Sequence, residues 1–119
     1  MEEIKTFEGI YKQQIEFQKA MIQKHPYEFS VQNIPEDNPH VCSQQIQQLI
    51  SEIGEVLSAD KRWKNFRNEK LDFENKKEEI ADCFIVLMNI AIYSGLSPKD
   101  LEASICNKME KNFKRIEEK

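Results

Sequence analysis

The sequence predicts an all-α fold: a four-helix bundle formed by a single domain over residues 1–119 and assembled as a dimer or higher oligomer. Only three glycines and four prolines occur, so long stretches lack the residues that form tight turns or interrupt helices. In four segments the apolar residues recur at a period near 3.6, which places them on one face of a helix. A chain of 119 residues can bury one core, and small domains often bury more surface by oligomerising.

Helices 1 and 2 are separated by a proline-containing loop. We expect helix 1 over residues 2–24, a loop over 25–38, and helix 2 from Pro39 to about Ala59 with Asn38 as its N-cap. The apolar stripe of helix 2 consists of Cys42, Ile46, Leu49, Ile50, Ile53, Val56 and Leu57.

Helix 3 is the most apolar part of the chain. It begins near Phe73 or Glu74 and ends at Gly95, because a glycine in the left-handed conformation is a common helix stop. Residues 80–92 are apolar on nearly all sides, so we expect helix 3 to be the central helix. Only three other helices of the same chain are available to cover it, which predicts a homodimer or a tetramer.

Helix 4 opens with a capping signature. Ser97 is the expected N-cap, Pro98 takes the first helical position, and Asp100 follows Ser97 by three residues. The expected inner face of the helix consists of Leu101, Ile105, Met109, Phe113 and Ile116.

Charge and cysteine content argue against several classes of protein. The net charge of −4 disfavours nucleic acid as the main partner. Cys42, Cys83 and Cys106 lack CxxC spacing and lie in apolar-periodic stretches, so we interpret them as reduced, buried thiols of a cytoplasmic protein. The N-terminal residues lack the order of a signal peptide, and the apolar run 83–93 is too short to cross a bilayer. We therefore expect no membrane contact.

Two acidic pairs are the strongest candidates for a site. Glu52 and Glu55 are three residues apart on helix 2, and Glu79 and Asp82 are three apart on helix 3; residues at this spacing share a helix face. Roughly four such pairs arise by chance at this acid content, so the spacing alone is weak evidence. Carboxylates beside a core are costly unless they are paired or metal-bound. We interpret these four as Mg²⁺ ligands, and Asp82, which adjoins the apolar run, as the best supported.

A di-iron carboxylate site is the alternative for a helical bundle. Such a site requires a Glu-x-x-His motif on each of two helices. The two histidines of the chain are His25 and His40, and neither follows a glutamate by three residues. The sequence therefore argues against this site.

The motif Glu52-x-x-Glu55 with Glu79-x-x-Asp82, followed by a long apolar helix, resembles the all-α nucleoside triphosphate pyrophosphohydrolases. These include the MazG-like enzymes, the dCTP pyrophosphatases and the dimeric dUTPases, and the resemblance covers roughly residues 43–115. It implies Mg²⁺-dependent hydrolysis of a nucleotide to its monophosphate and pyrophosphate, with Mn²⁺ as a substitute. Glu52 and Glu55 are then catalytic, and Glu52 accepts the proton of the attacking water. The implied substrate is a pyrimidine deoxynucleotide such as dUTP or dCTP.

The last helix contains Lys108-x-x-x-Asn112-x-x-Arg115, which resembles a phosphate-contacting motif of the dimeric dUTPases. The three residues share one helix face, and the resemblance implies that they bind the phosphates. The alternative is that the two cations only stabilise the C-terminal end of the helix.

Residues 61–66 resemble the aromatic-and-lysine segment that follows the first acidic pair in the dimeric dUTPases. This implies that Trp63 and Lys64 contact the substrate, with the base between helix 1 and this segment and near Gln18. Trp63 can instead cap the core. Asn89 lies within the apolar run, so it either bonds a neighbouring helix or faces the nucleotide; we favour the nucleotide.

A function from another class is also compatible with the residues. A non-catalytic dimeric helical module that binds or regulates a partner would need the same apolar faces. It predicts that the four acids can be replaced without loss of fold or binding.

Overall fold

The structure is a computed structural model and describes residues 6–26, 33–64 and 70–118. These ranges form four α-helices and one short 3₁₀ helix, and no strand occurs within them, so the described residues confirm the all-α prediction. The α-helices are α1 (Phe7–Lys24), α2 (Pro39–Ala59), α3 (Phe73–Ile92) and α4 (Pro98–Glu117), and the 3₁₀ helix is Lys61–Trp63. None of the described helices combines the length and hydrophobicity needed for a membrane span.

The predicted caps of α2 and α4 are confirmed. The Asn38 side chain accepts a hydrogen bond from the Val41 amide at 3.2 Å. At α4, the Asp100 amide donates to Ser97 Oγ at 3.1 Å, and the Ser97 amide donates to Asp100 Oδ2 at 3.3 Å. Each bond satisfies an amide that has no partner within the helix.

The end of α3 differs slightly from the prediction. The helix ends at Ile92, three residues before the predicted stop at Gly95. Gly95 has a φ of 82°, and the Leu96 amide after it donates to the Ala91 carbonyl at 3.0 Å. The glycine therefore does reverse the chain, but the last turn is already non-helical.

The first helix begins at Phe7, with Thr6 as its cap: the Gly9 amide donates to Thr6 Oγ1 at 2.9 Å. The part of the prediction over residues 1–5 lies outside the described residues. The short 3₁₀ helix was not predicted.

The hydrophobic core lies where α1 crosses the C-terminal half of α3 and the start of α2. Its fully buried side chains are Tyr11, Ile22, Val41, Ile92 and Tyr93. The Tyr11 hydroxyl donates to the Leu96 carbonyl at 2.6 Å and so ties α1 to the turn that precedes α4. One end of the bundle is therefore closed.

The described chain does not cover α3 on all sides. Ala91 and Ile92 are buried, whereas Ile80, Phe84 and Leu87 are exposed. The reason is that α1 packs near the C-terminal end of α3 and leaves one side of its middle uncovered.

The described chain covers only the start of the predicted inner face of α4. Leu101 packs against the core, but Ile105, Met109, Phe113 and Ile116 are exposed. Helix α4 has no buried residue, because only its first turns reach the core.

The cysteine prediction is corrected at one position. All three thiols are free, and Cys42 and Cys83 are half-buried as their apolar-periodic positions suggested. Cys106 is exposed, because it lies on α4, which the rest of the chain does not cover.

Candidate metal centre

The register of α2 against α3 decides which side chains meet. Asn89 Nδ2 donates to Gln45 Oε1 at 3.0 Å near one end of the pair, and Lys76 contacts Asp60 at 2.8 Å near the other. A residue later in α2 thus contacts a residue earlier in α3, so the two helices are antiparallel. Midway between these contacts, the level of residues 52–55 on α2 matches the level of residues 79–82 on α3.

The four predicted acids converge at this level. Each of Glu52, Glu55, Glu79 and Asp82 offers one carboxylate oxygen, and these oxygens lie within 4.8 Å of one another. The i, i+3 spacing puts the two carboxylates of each helix on one face, and the register places the two faces together. Exposed acidic groups are common without an ion, so convergence alone does not identify a metal site.

Burial separates the four acids into two kinds. Glu52 and Glu79 are half-buried, whereas Glu55 and Asp82 are exposed. Gln48 Nε2 donates to Glu52 Oε1 at 2.6 Å. The second oxygens, Glu52 Oε2 and Glu79 Oε2, are buried and have no hydrogen-bond partner among the residues that the structure describes. Buried carboxylate oxygens without a donor are unfavourable, so this pair could be stabilised by a cation.

Asp82, the ligand best supported by the sequence because it adjoins the apolar run, is exposed, yet its carboxylate oxygen lies within 4.8 Å of those of the other three acids. Glu79 is the more buried acid of the α3 pair. The ranking of Asp82 above the other three stays a prediction.

The local field is negative. The pKa of the Cys83 thiol is raised by burial and further by the charges of Glu52, Asp82, Glu79 and Glu55. Burial and the neighbouring carboxylates therefore favour the protonated form of this thiol.

An apolar cavity of about 550 Å³ lies beside the acids. Ile53, Ile80 and Cys83 line it, and each is adjacent in sequence to one of the four acids. Trp63 lines the same cavity and is exposed, although its indole nitrogen donates to the Leu57 carbonyl at 3.1 Å. A planar apolar group could therefore stack here close to the carboxylates.

A clamp on Asp60 closes one edge of this cavity. Arg62 donates to both carboxylate oxygens at 2.8 Å, and Lys76 Nζ donates to Asp60 Oδ2 at 2.8 Å. Hydrogen bonds from Arg62, then Lys76, hold the pKa of Asp60 well below its usual range. We did not predict this clamp. The aspartate that ends α2, two residues before an arginine, was the available signal.

The structure does not bring Gln18 and Trp63 together. Gln18 Oε1 accepts from the Tyr93 hydroxyl at 2.8 Å, whereas Trp63 lies beside Lys76. Lys76 and Tyr93 are 17 residues apart on α3, about 25 Å along a helix. Within one chain a base cannot lie between α1 and the Trp63 segment, because α1 packs at the opposite end. Lys64 lies beside Trp63, with its ammonium 5.6 Å from the ring centroid.

Asn89 belongs to a buried amide chain. Gln14 Nε2 donates to Asn89 Oδ1 at 2.8 Å, and Asn89 Nδ2 donates to Gln45. Asn89 is only 5% exposed. Its amide thus links α1, α3 and α2, the other alternative weighed from the sequence, and a role toward the nucleotide stays a prediction. Gln14 and Gln45 were not predicted, because glutamines in a helix pattern look like solvated residues.

Lys108, Asn112 and Arg115 share one exposed face of α4. None of the three forms a hydrogen bond or ion pair with the acids of α2 and α3 that the structure describes. Asn112 lines a shallow apolar depression with Met109, Phe113 and Ile116. The structure therefore leaves these three away from any described partner.

No protein-family model, curated protein or solved structure matches the chain. The resemblance to the all-α pyrophosphohydrolases therefore rests on the motif residues, and the four acids are characterised by their geometry alone.

Proposed function

We propose that this chain is a Mg²⁺-dependent nucleoside triphosphate pyrophosphohydrolase. One observation carries the proposal: four carboxylates from two helices converge within 4.8 Å, and two of their oxygens are buried without a donor. An all-oxygen, carboxylate-rich set suits a hard divalent cation. The resemblance of the two acidic pairs to the pyrophosphohydrolase motif supplies the reaction class.

The donor set fits Mg²⁺ better than a soft metal. The four acids offer oxygen ligands and no histidine takes part, whereas zinc and copper sites usually include imidazole or thiolate. A bound Mg²⁺ neutralises charge that develops on the triphosphate and orients it for in-line attack. Mn²⁺ shares these ligand preferences and is expected to substitute.

Glu52 is suited to accept the proton of the attacking water. Gln48 donates to its Oε1, which fixes the rotation of the carboxylate. If Glu55, Glu79 and Asp82 hold the cation, Glu52 Oε2, which has no donor among the described residues, is left to take the proton. Glu55 lies one turn further along the same face and is exposed, so it can reach a substrate in solvent.

The base is assigned to the apolar cavity, and the phosphates are assigned to the metal at the four acids and to the α4 residues that the resemblance supplies. The apolar cavity with Trp63 can stack a base beside the carboxylates, with Lys64 near its rim. Lys108 and Arg115, with Asn112 between them, offer cations and an amide for the phosphates. The proposed substrate is a free pyrimidine deoxynucleotide of the cytoplasmic pool, such as dUTP or dCTP.

A pyrophosphate-release screen tests the proposal. The purified protein is mixed with each of the eight common ribo- and deoxynucleoside triphosphates and Mg²⁺, and the products are separated. We expect pyrophosphate and a monophosphate from at least one pyrimidine deoxynucleotide, and no turnover in excess chelator or with Ca²⁺ alone. Orthophosphate as the product would overturn the pyrophosphohydrolase reaction in favour of another phosphohydrolase, and no product from any nucleotide would favour the non-catalytic helical module.

A further inference from the structure

One carboxylate ties the end of α2 to α3. Asp60, which directly follows α2, accepts a hydrogen bond from Lys76 Nζ of α3 at 2.8 Å. Their side chains are 13% and 30% exposed, so solvent screens this ion pair less than a pair on the open surface. Among the described residues, the other ion pairs lie within one helix or, for Arg62, within the turn after α2.

The same carboxylate orders the turn that follows α2. The Arg62 amide donates to Asp60 Oδ1 at 3.2 Å, so Asp60 caps the short 3₁₀ helix. The Arg62 guanidinium binds both oxygens of that carboxylate at 2.8 Å, and a bidentate pairing of this kind fixes direction as well as distance. Asp60 therefore holds both the backbone and the side chain of the residue before Trp63.

The indole of Trp63 is held by α2. Its N–H donates to the Leu57 carbonyl at 3.1 Å, and a carbonyl in the last turn of a helix has no partner within the helix. The side chain is nevertheless 56% exposed and lines the apolar cavity beside the four acids. Because the N–H already has an acceptor, the indole offers a ring face to a molecule in this cavity.

An exposed aromatic ring with these restraints is prepared for a planar ligand. A ring that is already fixed loses little freedom when a planar group stacks on it, whereas a mobile ring has to be ordered at a cost in affinity. The restraint passes from Lys76 through Asp60 and Arg62 to the indole. It therefore fixes the ring relative to α3, the helix that carries one of the two acidic pairs.

We propose that Asp60 and Lys76 are positioning residues, which hold Trp63 as a fixed wall of the cavity on which a nucleotide base stacks. The stacking rests on the function proposed above, whereas the hold on Trp63 does not. Because these residues act through the ring and not on the phosphates, their loss weakens substrate binding and leaves the chemical step unchanged.

The fluorescence of Trp63 tests the hold without nucleotide or metal, because Trp63 is the single tryptophan of the chain. Lys76→Met removes the ion pair and keeps most of the length of the side chain. We expect a new fast component in the anisotropy decay, since a released ring moves on the picosecond-to-nanosecond timescale. Asp60→Asn should reproduce this component. The matched control is Lys77→Met, which breaks an exposed ion pair with Glu74 inside α3 and should keep the wild-type decay.

Steady-state kinetics with dUTP and dCTP as probes, in the presence of Mg²⁺, test the stacking. Lys76→Met should raise KM by about tenfold, within the range that stacking of a base on an aromatic ring supplies, at unchanged kcat. In a Trp63→Leu background, Lys76→Met should have no further effect on KM, because it acts through the ring. Lys77→Met should keep both constants.

Three results would overturn the proposal. The first is a wild-type anisotropy decay in both Lys76→Met and Asp60→Asn. The second is an equal effect of Lys76→Met on KM with and without Trp63, and the third is a loss of kcat at unchanged KM. Either kinetic result would mean that the ion pair serves the packing of α2 against α3. A wild type that hydrolyses neither probe would refute the stacking together with the proposed function, and the anisotropy decay would still decide whether the clamp holds the ring.

Discussion

The two ends of the α2–α3 pair are built differently. At the end nearest α1, Tyr11, Ile92 and Tyr93 are fully buried, and the Gln14–Asn89–Gln45 chain satisfies its own amides. In the middle and toward Trp63, apolar side chains are exposed, and two carboxylate oxygens are buried without donors. The first region is complete within one chain. In the second region, the described chain leaves two carboxylate oxygens without donors and several apolar side chains uncovered. We therefore expect a cation, a substrate and a second copy to bind there.

The largest expected effect on stability lies in the complete region. Ile92→Ala removes a fully buried side chain and should lower the free energy of unfolding by about 2–5 kcal/mol. The loss should not depend on protein concentration, because Ile92 packs within its own chain. Ile50→Ala, at a residue 67% exposed in one chain, should have a cost that falls as concentration rises. Urea unfolding at two concentrations distinguishes them, and equal behaviour of the two variants would remove the contrast between the regions.

The largest expected effect on turnover lies in the incomplete region. Glu79→Gln keeps the size of the side chain but removes a ligand charge whose Oε2 is buried without a donor. Since changes next to metal ligands already cost about 10–100-fold, we expect at least about 100-fold loss of activity with the fold retained.

Glu78→Gln is the matched control for this variant. Glu78 is adjacent in sequence, is exposed, and does not belong to the acidic cluster, so it should keep near wild-type turnover. Equal activity of the two variants in the pyrophosphate assay would remove the four acids from the mechanism.

A metal should act on stability as well as on turnover. An ion that binds only the folded state stabilises it, by about 1.4 kcal/mol at ten times its dissociation constant, so Mg²⁺ should raise the melting temperature of the wild type by several degrees. Glu79→Gln should show a smaller rise and should be at least as stable as the wild type without metal, because the substitution relieves repulsion among the acids. Identical responses of the two proteins to Mg²⁺ would argue that no ion binds at this cluster.

Local signals in the sequence predicted the elements well, because caps are short-range. Asn38 and the Ser97–Asp100 capping box set helix starts through contacts of three residues. The acidic cluster was also predictable, since the i, i+3 spacing fixes a face and only the register remained unknown. That register depends on how α2 and α3 pack along their length, which no local pattern encodes.

Periodicity alone could not show which apolar faces are covered by the same chain. Ile92 and Ile80 both lie in the apolar run of α3, yet one is fully buried and the other is 39% exposed. The difference comes from where α1 crosses α3, which is a property of the tertiary fold. The same limit hid the amide partners of Asn89, because Gln14 and Gln45 are distant from it in sequence.

The smallest effect tests how firmly α1 is attached to the complete region. Tyr11→Phe removes the hydroxyl that donates to the Leu96 carbonyl, and should cost about 0.5–1.5 kcal/mol at neutral pH. Burial, and then the charge of Asp100, raise the pKa of Tyr11 from 10.0 to about 12, so folding favours the neutral phenol. Its contribution is fully present below the unfolded pKa of 10.0 and is lost as the pH rises toward about 12. The stability difference between wild type and Tyr11→Phe should therefore shrink across this alkaline window, as followed by urea unfolding at several pH values.

If that stability difference stays constant, the phenol titrates alike in the folded and unfolded states, and the contact between α1 and the α3–α4 turn is loose. In that case the bundle end that we describe as complete would itself depend on a partner.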